Sequence, residues 1–218
     1  MIGAVVFDFD GTLVDSNAIK RQCYDDVFAE SPDAGPLIER TVVDFPAFSR
    51  YEVIARVLEQ LGETPDRLAK RTRELSRRYT TLCEERIRKT DDFDGVPETL
   101  ALLGRRYRVV INSATPQDCL RRVVLSRLWH KHCDWVLGGP ATKRENLQHI
   151  GKRFSLRPRE MVFVGDGDLD SEAAKAFGCH FVRAHPSCSE APVCAELLIK
   201  RMSELPSIIE QFSTVSQP

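Results

Sequence analysis

What this chain lacks narrows it before any motif is read. No run of about twenty apolar residues occurs, so no helical membrane span is expected. No basic leader precedes the first apolar stretch, which is short and ends in Asp8; it reads as a first strand, not a secretory signal, and a cytoplasmic protein is expected. Neither sign of charge is in excess. The 31 Lys and Arg against 32 Asp and Glu give a net charge of -1, which leaves nothing global to recruit nucleic acid or an anionic membrane. Seven cysteines occur without a Cys-x-x-Cys spacing, and their odd number points to reduced, individually buried thiols. Internal repeats are missing as well. Trp129-His130-Lys131-His132-Cys133 offers ligand types for a metal, but its histidines are two apart, whereas helical pairs that share a metal are spaced by three or four.

What is present suits a water-soluble α/β protein. At 218 residues, the chain has length for one domain, or one with a sizeable insertion, and for burying roughly 70% of its unfolded surface. Hydrophobic residues make up 42% and charged residues 29%, with a mean hydropathy of -0.28. One stretch departs from the even charge. From Arg67 to Lys89, nine basic residues surround an apolar stripe of Leu68, Leu75, Tyr79 and Leu82. A solvated helix face is the plain reading and steering of an anionic substrate the functional one; the stretch lacks the aromatic interleaving of a nucleic-acid binder.

Strand patterns at Ile2 to Phe7, Arg108 to Ile111, Asp134 to Leu137, Met161 to Val164 and His180 to Val182 alternate with helical ones. Helices are expected near Asn17 to Ala29, Pro97 to Arg106, Pro116 to Leu128, Arg144 to Phe154, Asp168 to Phe177 and Pro206 to Phe212. This alternation predicts a doubly wound, Rossmann-like parallel sheet with helices on both faces. The interval between the first two strands is too long for a crossover and must be an inserted helical unit. Its best helices are Tyr51 to Leu61, with Tyr51, Ile54, Leu58 and Leu61 on one face, and the basic stretch from Arg67 to Lys89; Ser31 to Pro36 and Gly62 to Pro65 read as loops. The expected division is 1–16 with 91–218 as the α/β core and 17–90 as the insertion. Beyond Cys188 the pattern weakens to a tail with one short helix.

Chemistry-bearing residues gather where strands end. Asp8-Phe9-Asp10-Gly11-Thr12 follows the first strand, and residues two apart in an extended chain share a face, so Asp8 and Asp10 converge while Gly11 lets the backbone turn. Either a cation lies between them or one carboxyl keeps its proton. After the second strand, Asn112-Ser113-Ala114-Thr115-Pro116 offers a hydroxyl and backbone N–H groups at an expected helix start, which attracts phosphate. Lys143 comes after a glycine-proline loop and falls in a first helical turn, where the dipole disfavours it unless an anion is near. Gly165-Asp166-Gly167-Asp168-Leu169-Asp170 crowds carboxylates at another helix start, which calls for solvent or a metal. A calcium loop would need glycine and glutamate where Ser171 and Phe177 stand, and a dinucleotide fingerprint would need glycine at Asp170.

Taken in order, Asp-x-Asp-Gly-Thr at 8–12, Ser113, Lys143 and Gly-Asp-x-x-x-Asp at 165–170 resemble the four motifs of the haloacid dehalogenase-like hydrolase superfamily. Leu13-Val14-Asp15-Ser16 and Ala173 to Gly178 are similar to its phosphoglycolate phosphatase and β-phosphoglucomutase group, and residues 17–90 look like the helical cap of that group. The resemblance implies a Mg²⁺-dependent phosphatase acting on a small phosphorylated metabolite through an aspartyl-phosphate. Asp8 would be the nucleophile and Asp10 the acid and base. Ser113, Ala114 and Lys143 would hold phosphate. Asp8, the Asp10 carbonyl and Asp166 would bind the metal, with Asp170 behind them orienting Lys143 or water on the metal. Arg50, at a helix start in the cap, would contact the rest of the substrate. Asp10 argues against a dehalogenase, whose relatives lack that second carboxylate. Arg144 and Asp168 depart from the pattern of the group. A phosphomutase using the same residues is the near alternative, and a receiver-like signalling module the remote one, since its acceptor aspartate comes after a later strand. A monomer or homodimer is expected.

Overall fold

Ala4-Val5-Val6-Phe7 is apolar at every position, as a strand covered on both faces must be. In the computed structural model, which describes residues 1–184 and 197–214, these four form strand β1 (Ala4–Phe7), all fully buried. The other strands are β2 (Arg108–Pro116), β3 (Trp135–Gly139), β4 (Met161–Gly165), β5 (His180–Ala184) and β6 (Leu197–Ile199). All pair in parallel in the order β3-β2-β1-β4-β5-β6, the Rossmann-like arrangement in which the order reverses beside β1. Ligands of such sheets bind beyond the carboxyl ends of the strands at that switch point, so topology alone directs attention to the loops leaving β1 and β4.

Residues alternate between the faces. Ala4, Val6, Val110 and Phe163 meet Leu147 and Ile150 from α7 (Lys143–Phe154) and Ala174 from α8 (Asp168–Phe177). Val5, Phe7, Val109, Ile111, Val162 and Val164 are equally buried on the other side. The fully buried strands explain why short apolar runs were legible, whereas β6, three residues long, carries no pattern of its own. The expected tail beyond Cys188 is therefore part strand; residues 185–196 and 215–218 lie outside the described residues, as do Cys188 and Cys194.

The chain divides into two compact units, Met1–Asp15 with Thr90–Pro218, and Ser16–Lys89. The first adds α5 (Val96–Leu103), α6 (Gln117–Leu125) and α9 (Leu205–Thr214). The second is wholly helical: α1 (Asn17–Val27), α2 (Ala34–Asp44), α3 (Arg50–Gln60) and α4 (Pro65–Arg88). Helix α2 starts inside the Ser31 to Pro36 segment expected as loop, because Pro36 falls in its first turn, where a missing N–H costs nothing. A capping box between Ser49 and Glu52 starts α3, and Pro65 starts α4. The buried face of α3 is Val53, Ile54, Val57 and Leu58, while Tyr51 is exposed; the seam of α4 is Thr72, Leu75, Tyr79, Cys83 and Ile87, rotated from the expected stripe.

Thiols are free at Cys23, Cys83, Cys119, Cys133 and Cys179. Cys133 and Cys179 are only partly buried, and Cys23 is not isolated, since its thiol pairs with that of Cys83 across α1 and α4. Among the described residues no helix is long and apolar enough to cross a membrane.

Candidate active site

Parallel register brings the carboxyl ends of the central strands level. Phe7 pairs with Ile111 on one side and Val164 on the other, so Asp8, Asn112 and Gly165 come next along three adjacent strands. The Asp8 N–H donates to the Val164 carbonyl at 2.8 Å, which carries the β1–β4 pairing one residue past the strand. Gly11 then turns the chain at φ 77°, a value that favours glycine, and Leu13 N–H closes back on the Phe9 carbonyl at 3.0 Å. Asp8 and Asp10 are thereby held buried at one strand end.

Two hydroxyls fix Asp10. Thr115 Oγ1 donates to its Oδ2 at 2.8 Å and Ser113 Oγ donates to the same oxygen at 3.2 Å, while the Thr115 N–H donates to Ser113 Oγ at 3.1 Å. Ser113 does not open a helix, contrary to expectation. Strand β2 continues to Pro116, with a register shift against β3 between Asn112 and Pro116, and α6 starts only at Gln117. The hydroxyl is presented by an irregular strand end, and Ala114 beside it is exposed.

Lys143 is the first residue of α7, whose capping box joins Thr142 and Glu145. Asn112 Nδ2 donates to the Lys143 carbonyl at 2.9 Å, and Asn146 Nδ2 donates to Asn112 Oδ1 at 2.9 Å, which ties this helix start to β2. The ammonium donates to Asp170 Oδ1 at 2.6 Å and lies 3.1 Å from Asp8 Oδ1. Burial alone would lower the Lys143 pKa, but the Asp8 and Asp170 carboxylates outweigh it and hold the group firmly protonated. Burial pushes Asp8 up to about 7, opposed by Lys143 and aided by the negative charges of Asp170 and Asp10. Asp170 is also raised by burial, against the pull of Lys143.

Asp170 reaches this point from the first turn of α8, where its Oδ2 accepts from the Gly167 N–H at 3.1 Å. A Cβ at Gly165 would meet Asp170 Cγ at 2.5 Å, so the close approach requires glycine there. Asp166 precedes that turn and accepts from Thr12 Oγ1 at 3.2 Å.

The resulting cluster suits a divalent cation. Oxygens of Asp8, Asp166 and Asp170 all lie within 4.8 Å of one another, in the only group of three or more possible ligand side chains among the described residues. With all three ionised, three negative charges face the single positive charge of Lys143, a net of two. Asp8 Oδ1 is buried and has only the Lys143 ammonium at 3.1 Å beside it, a cation it shares with Asp170, so a hard cation would supply charge that the cluster lacks. His130, His132 and Cys133 form no such group; His130 and His132 lie in a short 3-10 turn, Leu128–His132.

The pattern of these residues has a counterpart among known proteins. A sequence model of the haloacid dehalogenase-like hydrolases matches residues 2–178. The chain belongs to that family. A phosphoglycolate phosphatase of Cereibacter sphaeroides is 27% identical over 216 residues, covering 95% of this chain and 97% of the relative. Another, of Yersinia pestis, is 31% identical over 189 residues, covering 82% and 78%. A predicted phosphoglycolate phosphatase from Haemophilus somnus 129pt, a solved structure, superposes with a TM-score of 0.75 over 95% of this chain and 98% of its own at 18% identity, a likeness of fold.

In this haloacid dehalogenase-like hydrolase, six of the expected site residues, Asp8, Asp10, Ser113, Lys143, Asp166 and Asp170, meet at the switch point of the sheet. Arg50 belongs to the helical unit, where its Nη1 donates to Thr80 Oγ1 at 3.0 Å and its guanidinium lies 5.3 Å from the Tyr79 ring centre. Sequence reading missed Thr115, Thr12, Asn112 and Asn146. Thr115 carried a signal, since a residue two beyond Ser113 on a strand shares its face. The two asparagines carried none, because their partnership spans 34 residues.

Proposed function

We propose that the protein is a Mg²⁺-dependent phosphomonoesterase that hydrolyses a small phosphorylated metabolite through an aspartyl-phosphate at Asp8. The observation that carries this reading is the buried Asp8 carboxylate ion-paired to Lys143, two residues before a second carboxylate held by two hydroxyls. Asp8 attacks phosphorus, the bond to the ester oxygen breaks, and Asp10 gives that oxygen its proton. Water then attacks the phosphorus of the aspartyl-phosphate while Asp10 takes its proton, releasing phosphate and restoring Asp8. With substrate in place the Ser113 hydroxyl would turn from Asp10, which keeps Thr115, to a phosphoryl oxygen; the Ala114 N–H and Lys143 would hold others, and the 2.6 Å bond from Lys143 to Asp170 keeps the ammonium oriented. Mg²⁺, when bound by Asp8, Asp166, the Asp10 carbonyl and the adjoining Asp170, supplies positive charge for the phosphoryl group and for the carboxylates around it.

Substrate choice we assign to the inserted helical unit, read as the cap of this family with 17–90 as its expected extent. A groove of about 710 Å³ in that unit is lined by Lys70, Arg73, Arg77 and Thr80, and Thr80 accepts the Arg50 hydrogen bond. Its positive charge favours substrates carrying a second anionic group, and phosphoglycolate, named in the relatives, has a carboxylate beside its phosphate. Arg50→Ala is expected to raise KM about tenfold for such a substrate, with little change for an aryl phosphate. Equal kinetics on both would remove Arg50 from substrate binding. The free thiols at five described cysteines support a cytoplasmic setting.

The deciding experiment measures phosphate release from phosphoglycolate, sugar phosphates and an aryl phosphate, with Mg²⁺ or with chelator. Metal-dependent release of free phosphate is expected. An isomeric sugar phosphate formed without phosphate release would replace the phosphatase by a mutase.

A further inference from the structure

Phosphoryl transfer at Asp8 leaves Asp168 unused. Its side chain is 89% exposed, yet its Oδ1 accepts from Arg183 Nη2 at 3.0 Å. Arg183 is the opposite case, a cation with a side chain only 7% exposed, next to last in β5. The β4–β5 register pairs Gly165 with Arg183, so the guanidinium emerges beside the loop that leaves β4. There Nη1 donates to the backbone carbonyl of Asp166 at 3.0 Å. The Phe181 ring centre lies 5.6 Å from the guanidinium carbon.

Burying a guanidinium is costly unless its donors are used, and an ion pair to an exposed carboxylate returns little of that cost. The fork's geometry points to a different use. Its two nitrogens hold two points of one loop, the carbonyl of residue 166 and the carboxylate of residue 168, at fixed separation. Between them stands Gly167, which has no side chain to stiffen the loop. Thr12 restrains the Asp166 carboxylate itself at 3.2 Å, so the residue is gripped at both backbone and side chain. A bare guanidinium this close would also disfavour a second cation, and the Asp168 carboxylate offsets its charge.

We propose that Arg183 and Asp168 form a neutral clamp that positions Asp166 for a divalent cation, with Arg183 as a positioning residue that touches neither metal nor substrate. The proposal rests on the assignment of Mg²⁺ to Asp8, Asp166, the Asp10 carbonyl and the adjoining Asp170. Both residues lie outside the catalytic set, and the pair explains why an added carboxylate sits inside the last motif.

The test is calorimetric titration of the full-length metal-free protein with Mg²⁺, for wild type, Arg183→Met and Asp168→Ala, alongside the melting temperature of each without metal. Arg183→Met is expected to raise the Mg²⁺ Kd about 10- to 100-fold, as loss of a residue supporting a ligand does elsewhere. Asp168→Ala, at an exposed position that leaves the core intact, is expected to raise it about two- to fivefold. Should Arg183→Met not fold, Asp168→Ala decides alone: a raised Kd upholds the clamp and an unchanged one overturns it. A lower melting temperature of folded Arg183→Met with an unchanged Kd would also overturn it, reducing Arg183 to a structural residue. Failure of the wild type to bind Mg²⁺ would overturn the metal assignment and the clamp together, whereas normal wild-type binding with unaltered variants sinks the clamp alone.

Discussion

Asp8→Asn is expected to leave a folded protein with turnover reduced on the order of 10⁴-fold or more, because an amide cannot serve as the attacking oxygen. The same change should make the metal-free protein more stable at neutral pH. Burial holds the Asp8 carboxyl up at about 7, above the ordinary 3.8, so the folded state binds a proton more readily than the unfolded chain. Stability from this group is therefore fully present below about pH 4 and is lost as pH rises towards and through 7. Asparagine has no such proton to lose, and Lys143 keeps Asp170 as a partner at 2.6 Å. Denaturant unfolding in chelator between pH 5 and 8 should show a falling curve for wild type and a flatter one for the variant. Retained turnover would place the nucleophile elsewhere; parallel curves would mean that Asp8 carries no burial cost.

This tension between stability and chemistry marks where sequence reading reached and where it stopped. The sheet was legible because β1 and β4 are covered on both faces and so read as unbroken apolar runs. The clustering of carboxylates was legible because Asp8 with Asp10, and Asp166 with Asp170, are local pairs whose spacing fixes a shared face or turn. What escaped was whatever depends on register between distant segments. Ser113 was expected at a helix start, but three more residues of β2 come after it before α6, and its hydroxyl spans 103 residues to reach Asp10. Asp168 and Arg183 are joined only by the pairing of β4 with β5. Helix α2 escaped for a different reason: its first turn contains Gly35 and Pro36, residues that punctuate loops unless tertiary packing overrides them.

Lys143→Met is expected to cost more than any other single change at the site, because it strikes folding and catalysis together. The ammonium is the cation that meets Asp8 and Asp170, and removing one partner of a buried ionic group typically costs about 3–5 kcal/mol. That figure should hold near pH 8 and shrink towards pH 5. Both carboxyls are already raised by burial, and without Lys143 to pull them down their folded-state values climb further above the unfolded ones, so the variant loses stability more steeply as pH rises. Mg²⁺ should restore part of the stability, since a divalent cation replaces the missing charge. Turnover should remain about 10²- to 10³-fold low even at saturating Mg²⁺, because in the proposed mechanism no metal can take over the point at which Lys143 would hold phosphoryl oxygens. Adding Asp8→Asn to Lys143→Met should recover stability without activity, as it removes the carboxylate left unpaired. Equal destabilisation at pH 5 and pH 8 would mean that Lys143 acts through packing, and a double variant no more stable than Lys143→Met would mean that Asp8 and Lys143 are not coupled in the folded protein.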